Sequence, residues 1–323
     1  MSAFELQNFF ISPLESGLIY VLLALGVFVA FRVLDIADLS VEGVFPLVSV
    51  LSCFLILHGW NPFLVVLLMV ALGVVAGILN ALLTLYLKIP PLLSGIIMMS
   101  ALFAISIIVI HFNGGYVNLA SDDPTVFSGL TGLFVGANLT KFWASALAQL
   151  LIGGLALAAA LALLYFFFGT EMGLALRAAG KNKQMARANG ISVKAMTITG
   201  LGISSGLVAL AATLYAQKGL SGTPQDGQGM IVLGLSILFL GEAIFPHHSF
   251  KTHLLAITGG SFVYWYIIQI LLQWIPNSST YLYLYKALLL VLVLAIPYLI
   301  KTIRKKHARK KEEEADAPLP ESL

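Results

Sequence analysis

Three carboxylates fall within eight residues at Asp35, Asp38 and Glu42, with the Ser40 hydroxyl between the last two. Acids so placed can take up a cation or a proton. They can also satisfy free N–H groups at a helix start, where the macrodipole favours negative charge. Two readings stay open: capping acids that pair with the nearby Arg32, or a discontinuous helix beside a solute path, which Gly43 and Pro46 permit. Asn80 and Thr84 lie one turn apart on one helical face, near a small-residue surface at Gly73 and Gly77; they suit hydrogen bonding between helices or the lining of a path. Ser94, Met98, Met99 and Ser100 follow Pro90 and Pro91, and methionine adapts to ligands of variable shape as readily as it fills gaps. Gln225 and Asp226 stand in the glycine-rich stretch from Lys218 to Gly229, which reads as a flexible turn or as a gate.

Other reactive groups point to no chemistry of their own. Glu242 is followed by His247, His248, Lys251 and His253, without the spacing of an organised ligand set, so no metal is expected. Cys53 is the single cysteine and lies in an apolar run, which excludes an internal disulfide and a multi-cysteine zinc cluster. Gly173 and Gly180-Lys181 superficially resemble a phosphate-binding loop, but the spacing is wrong and Asn182 stands where that loop needs Ser or Thr. No His, Asp or Glu constellation suits catalysis, so the chain reads as a non-enzyme holding no cofactor.

The elements that must position these residues are set by composition. Of 323 residues, 59% are hydrophobic and 10% charged, with a mean hydropathy of +0.96, where a soluble domain carries about 25% charged residues. A soluble enzyme is excluded. Apolar runs broken by Gly, Pro and charge predict an all-α, polytopic transmembrane helix bundle. Nine helices are expected (eight to ten) near 14–34, 40–58, 62–87, 92–111, 143–168, 193–217, 229–245, 253–273 and 282–300. The second, fourth and seventh are short or broken by Pro, Gly and polar residues, so a re-entrant segment would change the count by one. A transmembrane domain over 1–300 and a charged tail over 301–323 follow. The first helix, with no Lys or Arg before it, is expected to be retained rather than cleaved.

Charge sets the orientation. With the 170–192 loop inside, fifteen of the eighteen basic residues fall on the inner side, leaving Lys141, Lys218 and Lys286 outside. The positive-inside rule therefore places the N-terminus outside and the C-terminus in the cytoplasm. This asymmetry reports orientation and not nucleic-acid binding. The basic run from Lys301 suits anionic lipid headgroups. Residues 112–141 form a polar outer loop and a candidate docking surface. Asn138-Leu-Thr140 and Asn277-Ser-Ser279 match the glycosylation sequon, which would matter only in a eukaryotic protein.

The 170–192 loop is the most informative stretch. A first helix is expected to end at Gly180 as a C′ residue, and Asn182 to cap a second, two-turn helix from Lys183 to Asn189. Gly190 would end it in the left-handed conformation. So short a helix depends on tertiary contacts. Met185, Ala186 and Ala188 suit a shallow groove, and Lys183 and Arg187 share one side, which is what a knob for a cytosolic partner requires. An amphipathic loop lying on the membrane is the competing reading.

Three motifs carry a family resemblance. The loop reads Gly173-Leu-Ala-Leu-Arg177-Ala-Ala-Gly180-x-Asn182, running on to Met185-Ala186-Arg187-x-x-Gly190-Ile191. The second is Val33-Leu34-Asp35-Ile36-Ala37-Asp38-Leu39-Ser40-Val41-Glu42-Gly43. The third is Gly227-Gln228-Gly229-Met230-Ile231-Val232-Leu233-Gly234-Leu235, continuing to Leu240-Gly241-Glu242. Over roughly residues 15–300 the chain resembles the permease subunits of ABC importers for branched-chain amino acids, ribose and nucleosides, and within them the tryptophan or tyrosine branch.

The resemblance implies a bacterial inner-membrane permease working as a homodimer. Its partners would be a cytoplasmic ATP-binding subunit, which holds ATP and magnesium, and an extracytoplasmic substrate-binding protein. It further implies that Arg177, Gly180, Asn182, Lys183, Met185, Ala186, Arg187, Gly190 and Ile191 belong to the helix that couples to the ATPase. Asp38, Ser40, Glu42, Asn80, Thr84, Ser94, Met98, Gln225 and Asp226 are the candidates for a substrate path. An aromatic or branched-chain amino acid is the implied substrate, with a nucleoside or sugar as alternatives. A gradient-driven secondary transporter, with Glu42 as its buried acid, is the reading from another class; an intramembrane enzyme comes last.

Overall fold

The computed structural model describes residues 3–137, 140–245, 249–274 and short stretches between 284 and 295. Helix α1, Ala3–Phe28, widens into a π-helical turn at Val29–Val33. It is followed by α2 (Val41–Leu57), α3 (Pro62–Tyr86), α4 (Pro91–Phe112), α5 (Ser128–Gly136), α6 (Lys141–Gly169), α7 (Glu171–Lys181), α8 (Lys183–Ala188) and α9 (Val193–Gly219). A 3-10 turn at Pro224–Gly227 precedes α10 (Met230–Ile244) and α11 (Phe250–Trp274). The described residues form no strand, although Asn118 and Ser221 make an isolated antiparallel bridge.

Local chemistry explains the boundaries. The Asn61 side chain accepts the Phe63 amide at 3.0 Å with Pro62 in the first turn of α3. The Thr170 hydroxyl accepts the Gly173 amide at 3.3 Å to start α7, and Ser192 accepts Ala195 at 3.4 Å to start α9. Each side-chain oxygen answers an N–H that the helix itself cannot. At the far end of α9, Leu220 takes the left-handed conformation.

Among the described residues, seven helical segments are long and apolar enough to cross a membrane: Phe9–Val33, Pro62–Tyr86, Pro91–Phe112, Lys141–Gly169, Val193–Gly219, Pro224–Ile244 and Phe250–Gln273. The expected second helix is α2, apolar but only 17 residues long. Eight of the nine expected helices are thus present, the first starting well before residue 14. The ninth, at 282–300, falls largely outside the described residues, as do the tail, both sequons, His247 and His248. The 112–141 loop contains a helix, α5, that periodicity did not suggest.

Burial sorts the bundle into an inside and an outside. The spans of α1 and α9 are 72% and 67% buried, against 22% for α6 and 28% for α4, so α1 and α9 form the centre and α4 and α6 face outward. Helix α2 is buried on nearly every side, as a helix that is hydrophobic all round must be. The small-residue surfaces serve the fold. Gly73 and Gly77 of α3 lie against the backbone of Ser205 and Leu201 on α9, and the Ser204 hydroxyl bonds the Gly26 carbonyl at 2.8 Å.

Candidate functional site

The link from α1 to α2 is the first element of the site. After the π-helical turn, Leu34 is bonded back to Val29, and Asp35 adopts a positive φ of 55°. The chain then runs without helix to Ser40. Gly43 lies against Met99, eight residues into α4, or about 12 Å along that helix at 1.5 Å per residue. The α2 start is therefore set deep in the bundle, and its neighbouring backbone groups need protein partners.

Asp38 supplies them. It is fully buried, and its Oδ1 accepts the Ser40 amide at 2.9 Å and the Asn80 side-chain amide at 2.8 Å. Ser94 donates to Asn80 Oδ1 at 2.5 Å and lies 3.1 Å from the Asn80 carbonyl, which also accepts from Thr84 at 3.1 Å. The structure thus brings together Asp38, Ser40, Asn80, Thr84 and Ser94 from α3, α4 and the α1–α2 link. Asn80 is engaged from outside its own helix, by α4 and the link, whereas Thr84 bonds back within α3. Asp38 Oδ2 and the Ser40 hydroxyl have no hydrogen-bond partner in this node.

The three acids do not act as one cluster, and none of them pairs with Arg32. Asp35 is exposed, and Glu42 instead faces the backbone at Gly229 and Ile231. Arg32 reaches Glu242 through two hydrogen bonds, Nε to Oε1 at 2.7 Å and Nη2 to Oε2. His253 meets Glu242 Oε1 at 2.8 Å. The helical turn from Val29 to Val33 carries the guanidinium toward α10 and away from the acids that follow it in sequence. Sequence reading missed this pair because its members are 210 residues apart.

Gln225 and Asp226 are also separate from the Asp38 node. Asp226 caps its own turn, accepting Thr223, and takes the Ser49 hydroxyl of α2 at 2.8 Å. Gly222 and Gly227 lie against the backbone of Ser49 and Glu42, so this segment is pressed onto α2 and is not a free turn. Ser49 was not singled out by sequence, since its partner Asp226 is 177 residues away. Gln225 lines a cavity of about 340 Å³ with Tyr116, Asn118 and Gly222, between the 112–141 loop and this segment. Met98 is buried in α4.

At the opposite end stand α7 and α8. Asn182 Oδ1 accepts the Gln184 and Met185 amides, both at 3.0 Å, and Gly190 has a φ of +76°, as its place in the sequence predicts. Gly180 is different. It is helical and packs against the Val33 carbonyl and Leu34; its lack of a side chain permits that approach and does not serve as a left-handed terminus. Ala186 is also reassigned, being 2% exposed and turned inward, whereas Lys183, Met185, Arg187 and Ala188 are exposed and Ile191 is half-buried. Arg177 donates to the Phe168 carbonyl at 3.0 Å and lies over the Phe250 ring, tying α7 to α6 and α11.

Seven apolar spans among the described residues, around a buried polar node, make this a multi-pass membrane protein, and its likeness to known proteins makes it a permease. The chain belongs to the branched-chain amino acid transport system / permease component family, which matches residues 10–296. It is 30% identical over 300 residues to a tyrosine transport system permease protein of Clostridioides difficile (strain R20291), covering 93% of this chain and 95% of that one. It is 27% identical over 246 residues to the uncharacterized protein RP368 of Rickettsia prowazekii (strain Madrid E), covering 74% and 79%. No solved structure matches the chain significantly.

Proposed function

We propose that this permease is the membrane subunit of an ATP-driven importer for an aromatic amino acid in the bacterial inner membrane. It works as a homodimer, with an ATP-binding subunit docked on α8 and an extracytoplasmic protein delivering substrate to the other end. The carrying observation is the path from α8 to the polar node. Met185, 65% exposed, and Arg187 project from a capped helix joined to α7 through the single residue Asn182, and Gly180 of α7 rests on Val33 and Leu34. Asp38 is only five residues beyond Val33. Displacement of α8 by a closing ATPase would therefore move the α1–α2 link directly, without an intervening flexible loop. The clustering of Arg32, Arg177, Lys181, Lys194 and Lys251 at the α7–α8 end supports placing that end in the cytoplasm. The tyrosine relative supports an aromatic substrate, and the Gln225 cavity at the far end is where a delivered solute would first meet the chain.

The test is purification of the tagged chain from its native membrane, identification of its partners by mass spectrometry, and tyrosine uptake in proteoliposomes. Recovery of an ATPase and a binding protein, with the ATPase lost from Arg187→Glu, is the expected result. Uptake that survives ATP depletion and collapses with an uncoupler overturns this reading in favour of a gradient-driven transporter.

A further inference from the structure

A trench crosses the α7–α8 end and opens sideways between two spans. It begins as a cavity of about 470 Å³ bordered by Arg32, Arg177, Lys181, Glu242, Ser249 and His253. Across Arg177 and Phe250 it continues as a second cavity of about 560 Å³, floored by Phe166, Phe168 and Gly169 and edged by Lys251 and Tyr165. Across Lys251 and Tyr165 it becomes a groove of about 210 Å³ between α6 and α11, lined by Leu161, Leu254 and Leu255. Cations thus give way to rings and then to aliphatic side chains along one continuous surface.

The charges in this trench do not cancel. Glu242 is the acid among its described lining residues, and Arg32 and His253 already bind it. Arg177, Lys181 and Lys251 have no carboxylate partner among the described residues, and the buried Nε of Arg177 has no hydrogen-bond acceptor. Lys251 instead lies over the Tyr165 ring at 4.6 Å, which places an ammonium at the level of an aromatic side chain near the end of a span, where headgroups meet hydrocarbon. Basic pockets between membrane helices are suited to anionic headgroups.

We propose that this trench binds one anionic phospholipid. Its phosphate sits among Arg177, Lys181 and Lys251, and an acyl chain lies in the α6–α11 groove. A soluble phosphate would satisfy the cations but leave the groove unexplained, whereas a zwitterionic lipid would fill the groove but bring its own cation to Arg177. The bound lipid bridges α7 to α6 and α11, and this assignment does not depend on how transport is energised.

Native mass spectrometry of the detergent-purified chain tests it, with dioleoyl phosphatidylglycerol, dioleoyl phosphatidylcholine and inorganic phosphate as probes. Phosphatidylglycerol is expected to be retained preferentially. Lys181→Gln with Lys251→Gln should weaken it about 25-fold, at about fivefold per surface charge. Both lysines are exposed, so these changes leave the core intact. Leu255→Trp, at an exposed groove position, is expected to weaken the lipid and leave phosphate unaffected. Equal retention of the two lipids, unchanged binding by the double variant, or displacement of phosphatidylglycerol by equimolar phosphate would each overturn the proposal.

Discussion

Gly180 of α7 lies so close to the Val33 carbonyl that a methyl group at position 180 would overlap it. The helix that carries the exposed knob and the last turn of the first span therefore share a backbone contact with no side chain between them. Gly180→Ala should force the two apart, at about 1–3 kcal/mol for overpacking of this kind. Hydrogen exchange is the measurement: amides of 171–181 and 29–38 should exchange faster together in the variant, while those of α9 do not change.

Asn182 offers a milder break on the same element. Asn182→Ala removes the acceptor for two amides of α8 and should cost about 1 kcal/mol. A six-residue helix has little else to hold it, so exchange across 183–189 should rise and ATPase-coupled uptake should fall. Asn182→Asp keeps the acceptor and is expected to retain both.

The Asp38 node predicts an asymmetry. Asp38→Ala leaves the Ser40 amide and the Asn80 side chain buried without their acceptor, about 1–3 kcal/mol for each stranded group. Ser94→Ala removes a donor, and Asn80 keeps its bond to Asp38. Thermal unfolding in detergent should rank Asp38→Ala far below Ser94→Ala, and equal losses would mean that the node does not hold the α2 start.

The Arg32 and Glu242 pair predicts the opposite ordering from one based on charge alone. The Glu242 side chain is 8% exposed and that of Arg32 48%, so Arg32 can return to water while Glu242 cannot. Arg32→Ala should destabilise by about 1–3 kcal/mol, since it takes charge-assisted bonds from a buried carboxylate. Glu242→Gln, which still accepts from Arg32 and His253, should cost about 1 kcal/mol or less. Equilibrium unfolding of the two variants and their double settles the order.

Much of this was legible in the sequence because it was local. Span positions followed from apolar runs, and Asn182 and Gly190 followed from capping rules that act over a few residues. The contact of α3 with α9 was foreshadowed by Gly73 and Gly77. Gly180 was misread because a helix-ending glycine and a close-packing glycine look alike until the neighbour is known. Arg32 was assigned to the nearest acids, whereas the turn it sits on faces α10. Ala186 was given to a partner, whereas a six-residue helix needs an anchor of its own. In each case the deciding partner came from a distant element.

The joint between α3 and α9 also limits how this molecule can move. Where Gly73 and Gly77 of α3 meet the Ser205 and Leu201 backbone, and Gly202 and Gly206 of α9 take the Val74 and Ile78 side chains, the two helices are closely packed, and contacts of this sort pass between discrete arrangements instead of deforming gradually. The pair is thus one mechanical body, a frame running the depth of the bundle. The α1–α2 link and the 219–229 segment, whose hold on α2 includes side-chain hydrogen bonds, are left as the hinge. A transport cycle in this permease is accordingly a rearrangement around a fixed frame, not a flexing of the whole.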